Sequence, residues 1–139
     1  MEHSPYLHYE CLSVLMTGTA WYLDPRQGLP RLDDARACLA LLARADQQIQ
    51  TSETHAALAE ARGLLALAEG APGPGAAHLR DAAAGWAATS RPLDQARALS
   101  SLGRAQPAPE LFQQAMAIIR ALAEQIDDSE LRASFLSQY

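Results

Sequence analysis

The residues best suited to metal or nucleophilic chemistry are four histidines, His3, His8, His55 and His78, and two cysteines, Cys11 and Cys38. His3 and His8 are five residues apart beside Glu10, whereas a helical metal-binding pair needs a spacing of three or four. The cysteines form no C-x-x-C, and no serine sits in a G-x-S-x-G elbow, so thiol-redox, zinc-finger and hydrolase patterns are missing. All 11 basic residues are arginine, which removes Schiff-base and P-loop lysine chemistry. The Gly73-Pro74-Gly75 turn follows a helical pattern rather than a strand, and so is not read as a phosphate cradle. Asp33-Asp34 and Asp127-Asp128 stand where helices begin, and capping explains them. Trp21 and Trp86 fall on apolar stripes and read as core. The sequence therefore predicts no catalytic residue, no metal site and no cofactor. A small helical enzyme or ligand-binding bundle would instead need a pocket joining His8, Glu10, Cys11 and Cys38, or His55 and His78.

The composition says what kind of elements hold these residues. The chain of 139 residues has 29 Ala and 21 Leu against one Val, four Ile and five Thr. Helices favour the first two and strands the β-branched types, so the fold is predicted to be all-α. At 49% hydrophobic and 19% charged, the chain can bury one domain-sized core. A net charge of −5 and a pI of about 5.2 argue against direct nucleic-acid binding. No apolar run approaches the length of a membrane span. The N-terminal MEHSPYLHYE lacks the basic region of a signal peptide, so the expected compartment is the cytoplasm.

Helical periodicity recurs along the whole chain. A first pattern runs from Ser4-Pro5 through Tyr6, Cys11, Leu12, Leu15, Met16 and Leu23 to Asp24-Pro25. A second starts near Leu32 and places Ala35, Leu39, Leu42 and Ile49 on one face. Thr51 or Ser52 caps a third, with Leu58, Ala61, Leu64 and Ala68 inward. Gly70 to Gly75 is read as a loop. The fourth puts Leu79, Ala82, Ala83 and Trp86 inside and Arg80 and Asp81 outside. The fifth runs from Leu93 to Ala105 on Ala96, Leu99, Leu102 and Gly103. The sixth buries Phe112, Ala115, Met116, Ile119, Leu122, Ala123 and Ile126. A last short helix, Glu130 to Ser137, buries Leu131, Phe135 and Leu136.

The third and fourth patterns repeat. Ala61, Leu64, Leu67 and Ala68 return 35 residues later as Ala96, Leu99, Leu102 and Gly103. Leu79, Ala82, Ala83 and Trp86 return 33 residues later as Phe112, Ala115, Met116 and Ile119. A helical hairpin at that period buries only part of its apolar surface, so neighbours must stack into a solenoid. The predicted architecture is about six helices in antiparallel hairpins plus a short capping helix, with a closed six-helix bundle as the rival. One domain spans 1–139: a divergent hairpin at 1–50, repeats at 53–90 and 92–126, and a cap at 128–137.

The segments Ala61–Gly70, Ala77–Trp86, Pro92–Leu99 and Leu102–Ala105 resemble a tetratricopeptide (TPR) repeat. More narrowly, residues 53 to 137 are similar to degenerate repeats in the C-terminal regions of large bacterial regulators that join a signalling ATPase to a LuxR-type or cyclase domain. That resemblance implies a scaffold that recognises another protein or an effector, and within this chain it covers the repeat alone.

In such a solenoid the first helix of each hairpin lines the concave groove. Arg62 and Arg97 hold equivalent positions, one past Ala61 and Ala96, and Ser101 and Arg104 follow on the same helix. Arginines there would take the carboxylates of an acidic peptide. Alternatively they are solvated or paired within their helix, as Asp94 with Arg97. The expected function is a non-catalytic protein-interaction scaffold in bacterial signalling or transcriptional regulation, with no nucleic-acid or membrane partner. A homodimer through a self-association surface is the further alternative.

Overall fold

The computed structural model describes residues 18, 19, 23 and 31–138. The first helical pattern, including Cys11 and Trp21, lies largely outside them, as do His3, His8 and Glu10. The described residues form helices and no strand. The helices are α1 (Leu32–Ile49), α2 (Ser52–Ala68), α3 (Pro72–Ala88), α4 (Pro92–Ala105), α5 (Pro109–Glu124) and α6 (Ser129–Leu136).

Each start has a local cause. Asp33 and Asp34 occupy the first turn of α1, where the macrodipole favours them, and Arg31 pairs with Asp34 at 2.7 Å. Thr51 caps α2 in a reciprocal box with Thr54. Proline opens α3, α4 and α5, where its missing N–H would have had no helical partner. Asp128 caps α6 by accepting from the backbone N–H of Glu130 and Leu131.

The first three connections share one device at a spacing of 20 residues. Gln50, Gly70 and Ser90 all adopt positive φ, at 53°, 78° and 56°. Two residues later the next helix begins, at Ser52, Pro72 and Pro92. At Gly70 and Ser90 the following N–H reaches back to Ala66 and Trp86 carbonyls, the bond that closes a Schellman motif. The α4–α5 connection departs from this: Gln106 is extended and Pro107 follows.

Residues 72–75 are helical, contrary to the loop expected there. Gly and Pro are poor inside a helix, but these four form the first turn, where Pro lacks only an orphan donor. Gly75 has a second reason to be present. A Cβ on it would lie 3.2 Å from Leu67 and 3.3 Å from the Gly63 carbonyl. A Cβ on Gly63 would strike Leu79 at 2.6 Å, so α2 and α3 cross with almost no side chain between them.

The helices pack in sequence order, α1 on α2, α2 on α3, and so on to α6, with one further contact between α2 and α4. Among the described residues no contact closes the row into a ring. The arrangement is thus a short helical solenoid of stacked antiparallel hairpins. Its core is Leu42, Ala56, Ala61, Ala82, Trp86, Ala96, Leu99, Ala115 and Ile119 with their neighbours. A satellite cluster of Ala76, Leu79 and Leu102 lies beside it.

The repeat shows partly in burial: Ala61 and Ala96, Ala82 and Ala115, and Trp86 and Ile119 are buried in both copies, while Leu64, Leu67 and Ala68 are half-buried where Leu99, Leu102 and Gly103 are buried. Leu79 is fully buried under Leu102, but its counterpart Phe112 is 42% exposed. The covering helix explains this, since α6 has 8 residues where α4 has 14. Leu131 (64% exposed) and Leu136 face outward, and only Phe135 of α6 packs on the core. Ile126 lies past the end of α5 and is half-buried. No helix among the described residues is long and apolar enough to cross a membrane.

Candidate functional site

The exposed positions of α2 form a narrow stripe. Ser52, His55, Arg62 and Glu69 are exposed, while Thr54, Ala56, Ala57, Leu58, Glu60 and Ala61 are buried. Beside it, α4 exposes Leu93, Arg97 and Arg104. The two helices touch where Arg97 meets Glu60, and Arg62 stands about 200° around α2 from that residue.

The four residues singled out by the sequence meet different fates. Arg62 is exposed on α2. Arg97 is 43% exposed but reaches across to α2, donating from Nε to Glu60 Oε2 at 2.6 Å and from Nη2 to Glu60 Oε1 at 3.0 Å. Its Nη2 also lies 2.8 Å from Asp94 Oδ1, the within-helix pairing considered from sequence. Ser101 is buried and accepts from Arg104 Nη2 at 3.0 Å. Arg104 is exposed.

Glu60 was not marked by the sequence reading, yet it organises this region. It is 1% exposed, and its Oε1 also accepts from Trp86 Nε1 at 2.8 Å. Asp94 accepts from Arg91 Nε at 2.8 Å, and the Arg91 guanidinium stands 5.5 Å from the Trp86 ring centroid. Glu60, Arg97, Asp94, Arg91 and Trp86 therefore form a closed circuit joining α2, α3 and α4. Burial opposes the charge on Arg97. Its hydrogen bonds and attraction to Glu60, then to Asp94, outweigh that and hold its pKa above the ordinary arginine value. A sequence signal for Glu60 existed. It is a lone charge inside the run Ala56-Ala57-Leu58-Ala59-Glu60-Ala61, and a buried charge needs a partner.

The remaining polar groups support junctions. Asp46 accepts from Thr54 Oγ1 at 2.6 Å and lies 2.8 Å from His55 Nδ1, tying α1 to the start of α2. Arg36 of α1 bonds Glu69 at the end of α2 at 2.9 Å, and Arg80 of α3 bonds Gln106 at the end of α4. His55 and His78 do not converge. His55 neighbours Ala56, which faces Gly85, whereas His78 neighbours Leu79, which faces Gly63 about two turns along α2. Cys38 is half-buried beside Gly18, and Cys11 lies outside the described residues. Among the described residues no three His, Cys, Asp or Glu side chains gather as metal ligands.

No protein-family model, no curated protein and no solved structure matches the chain.

Proposed function

We propose that this chain is a non-catalytic, TPR-like helical-repeat module that binds another protein through the exposed residues of its first helices, α2 and α4. The observation that carries the reading is the linear packing order. It stacks α2 and α4, the equivalent first helices of successive hairpins, and each of them keeps an exposed strip. The circuit around Glu60 supports the same reading, because it fixes the two helices relative to each other across the face that a partner would meet. A role within bacterial signalling or transcriptional regulation rests on the resemblance of residues 53 to 137.

Affinity capture from the source cell tests this reading. The wild type is compared with Arg62→Glu/Arg104→Glu on the stripe and with Arg80→Glu/Asp81→Arg on the outer side of α3. Loss of a specific partner in the first variant alone is the expected result. Equal capture by the wild type and the first variant overturns the assignment of the face. Arg97→Glu is unsuited to the purpose, because it would set a carboxylate against buried Glu60.

A further inference from the structure

We infer that the end of the solenoid built by α4, α5 and α6 docks on a second copy of this chain, in a two-fold dimer that sets Phe112 and Arg104 of each copy against Leu131 and Glu130 of the other. The inference does not depend on the binding of another protein. Apolar exposure concentrates at this end. Five large hydrophobic side chains are exposed among the described residues, and four of them, Leu93, Phe112, Leu131 and Leu136, belong to these three helices. The stacking order gives the reason. α4 and α6 both pack on α5 but do not touch each other, whereas α2 and α4 do. A valley is left between α4 and α6, with α5 as its floor. Phe112 points toward it: at about 100° per residue it lies within about 20° of buried Ile119 and Ala123 on α5. On α4, Leu93 and Arg104 lie within about 20° of each other, about a quarter turn from Gly103, beside which the Phe112 ring stands.

The two ends of the valley are complementary. Gly103 is level with Phe112 and α4 runs antiparallel to α5, so Leu93 stands about 15 Å further along, opposite the last turn of α5. α6 starts just beyond that turn, and Leu131 in its first turn shares the level. One end therefore holds Phe112 beside Arg104, and the other holds Leu93 and Leu131 beside Glu130. Arg104 donates to the neutral Ser101 hydroxyl, and neither Arg104 nor exposed Glu130 forms an ion pair among the described residues. A two-fold axis across the middle of the valley lays each end on the opposite end of a second copy. Aromatic then meets aliphatic surface and arginine meets glutamate, twice in each dimer. The second copy continues over Phe112 the cover that Leu102 gives to Leu79 one hairpin earlier.

Sedimentation velocity of the intact chain between about 5 and about 500 μM tests this. The wild type should shift from monomer to dimer as concentration rises. Arg104→Glu and Glu130→Arg, both at exposed positions, should each weaken dimerisation at least about tenfold by setting like charges together. An equimolar mixture of the two variants should restore it, because both contacts of the mixed dimer again join opposite charges. Phe112→Ala should also weaken it, and Arg44→Glu on α1 should leave it unchanged, with circular-dichroism melts of the charge variants matching the wild type. A wild type that stays monomeric at the highest concentration overturns the inference. So does a dimer that both charge variants keep, a mixture no more dimeric than its components, or growth past the dimer into larger species.

Discussion

Arg97 on α4 and Glu60 on α2 are bound through two hydrogen bonds, of 2.6 and 3.0 Å, across the boundary between two hairpins. Glu60 is almost wholly buried, so this pair is part of the packing between repeats. Removing one partner of a buried pair typically costs about 3–5 kcal/mol, and the partial exposure of Arg97 lowers the expected figure to about 2–3. Arg97→Met should thus lower stability by about that amount in urea denaturation. Adding Glu60→Gln should recover part of the loss, because glutamine keeps an acceptor for Trp86 Nε1 while removing the charge. If the two substitutions are simply additive, the pair is not coupled as described.

Three helical glycines, Gly63, Gly73 and Gly103, carry different predictions. Gly63→Ala drives a methyl into Leu79, which is fully buried and has nowhere to go. Overpacking costs about 1–3 kcal/mol and exceeds the gain of up to about 1 from helix propensity. Gly73→Ala meets nothing within 4 Å beyond its chain neighbours. The Pro74 ring disfavours a helical residue with a Cβ before it, so the propensity gain should be largely offset and the change near neutral. Gly103→Ala meets only the half-exposed ring of Phe112, which can swing outward, so its effect should be near neutral. Thermal melts of the three single variants check this order.

Ser90 pays for a left-handed turn that Gly70 adopts freely 20 residues earlier. Its φ of 56° costs an L-residue about 1 kcal/mol. Ser90→Gly should therefore raise the midpoint of unfolding, with a net gain of roughly 0.5 kcal/mol after the added freedom of the unfolded chain. A lowered midpoint would mean that the Ser90 side chain does something the turn geometry does not require.

At the C-terminal end, Asp128→Ala removes the side-chain cap of α6, worth about 1 kcal/mol to that helix. No residue of α6 is fully buried, so hydrogen exchange should rise across residues 129–136 while the global melt hardly moves. Leu79→Ala on α3 should cost about 3–4 kcal/mol, and Phe112→Ala on α5 clearly less, although the two are repeat equivalents.

Much of the fold was legible because Ala and Leu at helical spacing leave little other choice. Thr51, Asp128 and the Pro92 boundary carry their signals locally. The start of α3 was misread because Gly73-Pro74-Gly75 looks like a turn until the close approach of Gly63 shows why side chains are absent there. The outward Leu131 and Leu136 were misread because amphipathic spacing cannot tell how far a short helix reaches. At the candidate site, the positions of Arg62 and Arg104 on exposed helix surface followed from the repeat. The pairing of Arg97 with Glu60 did not, because it links residues 37 apart that only the stacking of hairpins brings together.

The central claim is that a partner lies along α2 and α4. Hydrogen exchange of the chain, with and without its captured partner, tests this most directly. The account predicts protection confined to residues 52–69 and 92–105. Protection centred on Phe112 and α6, with α2 and α4 unchanged, would contradict it.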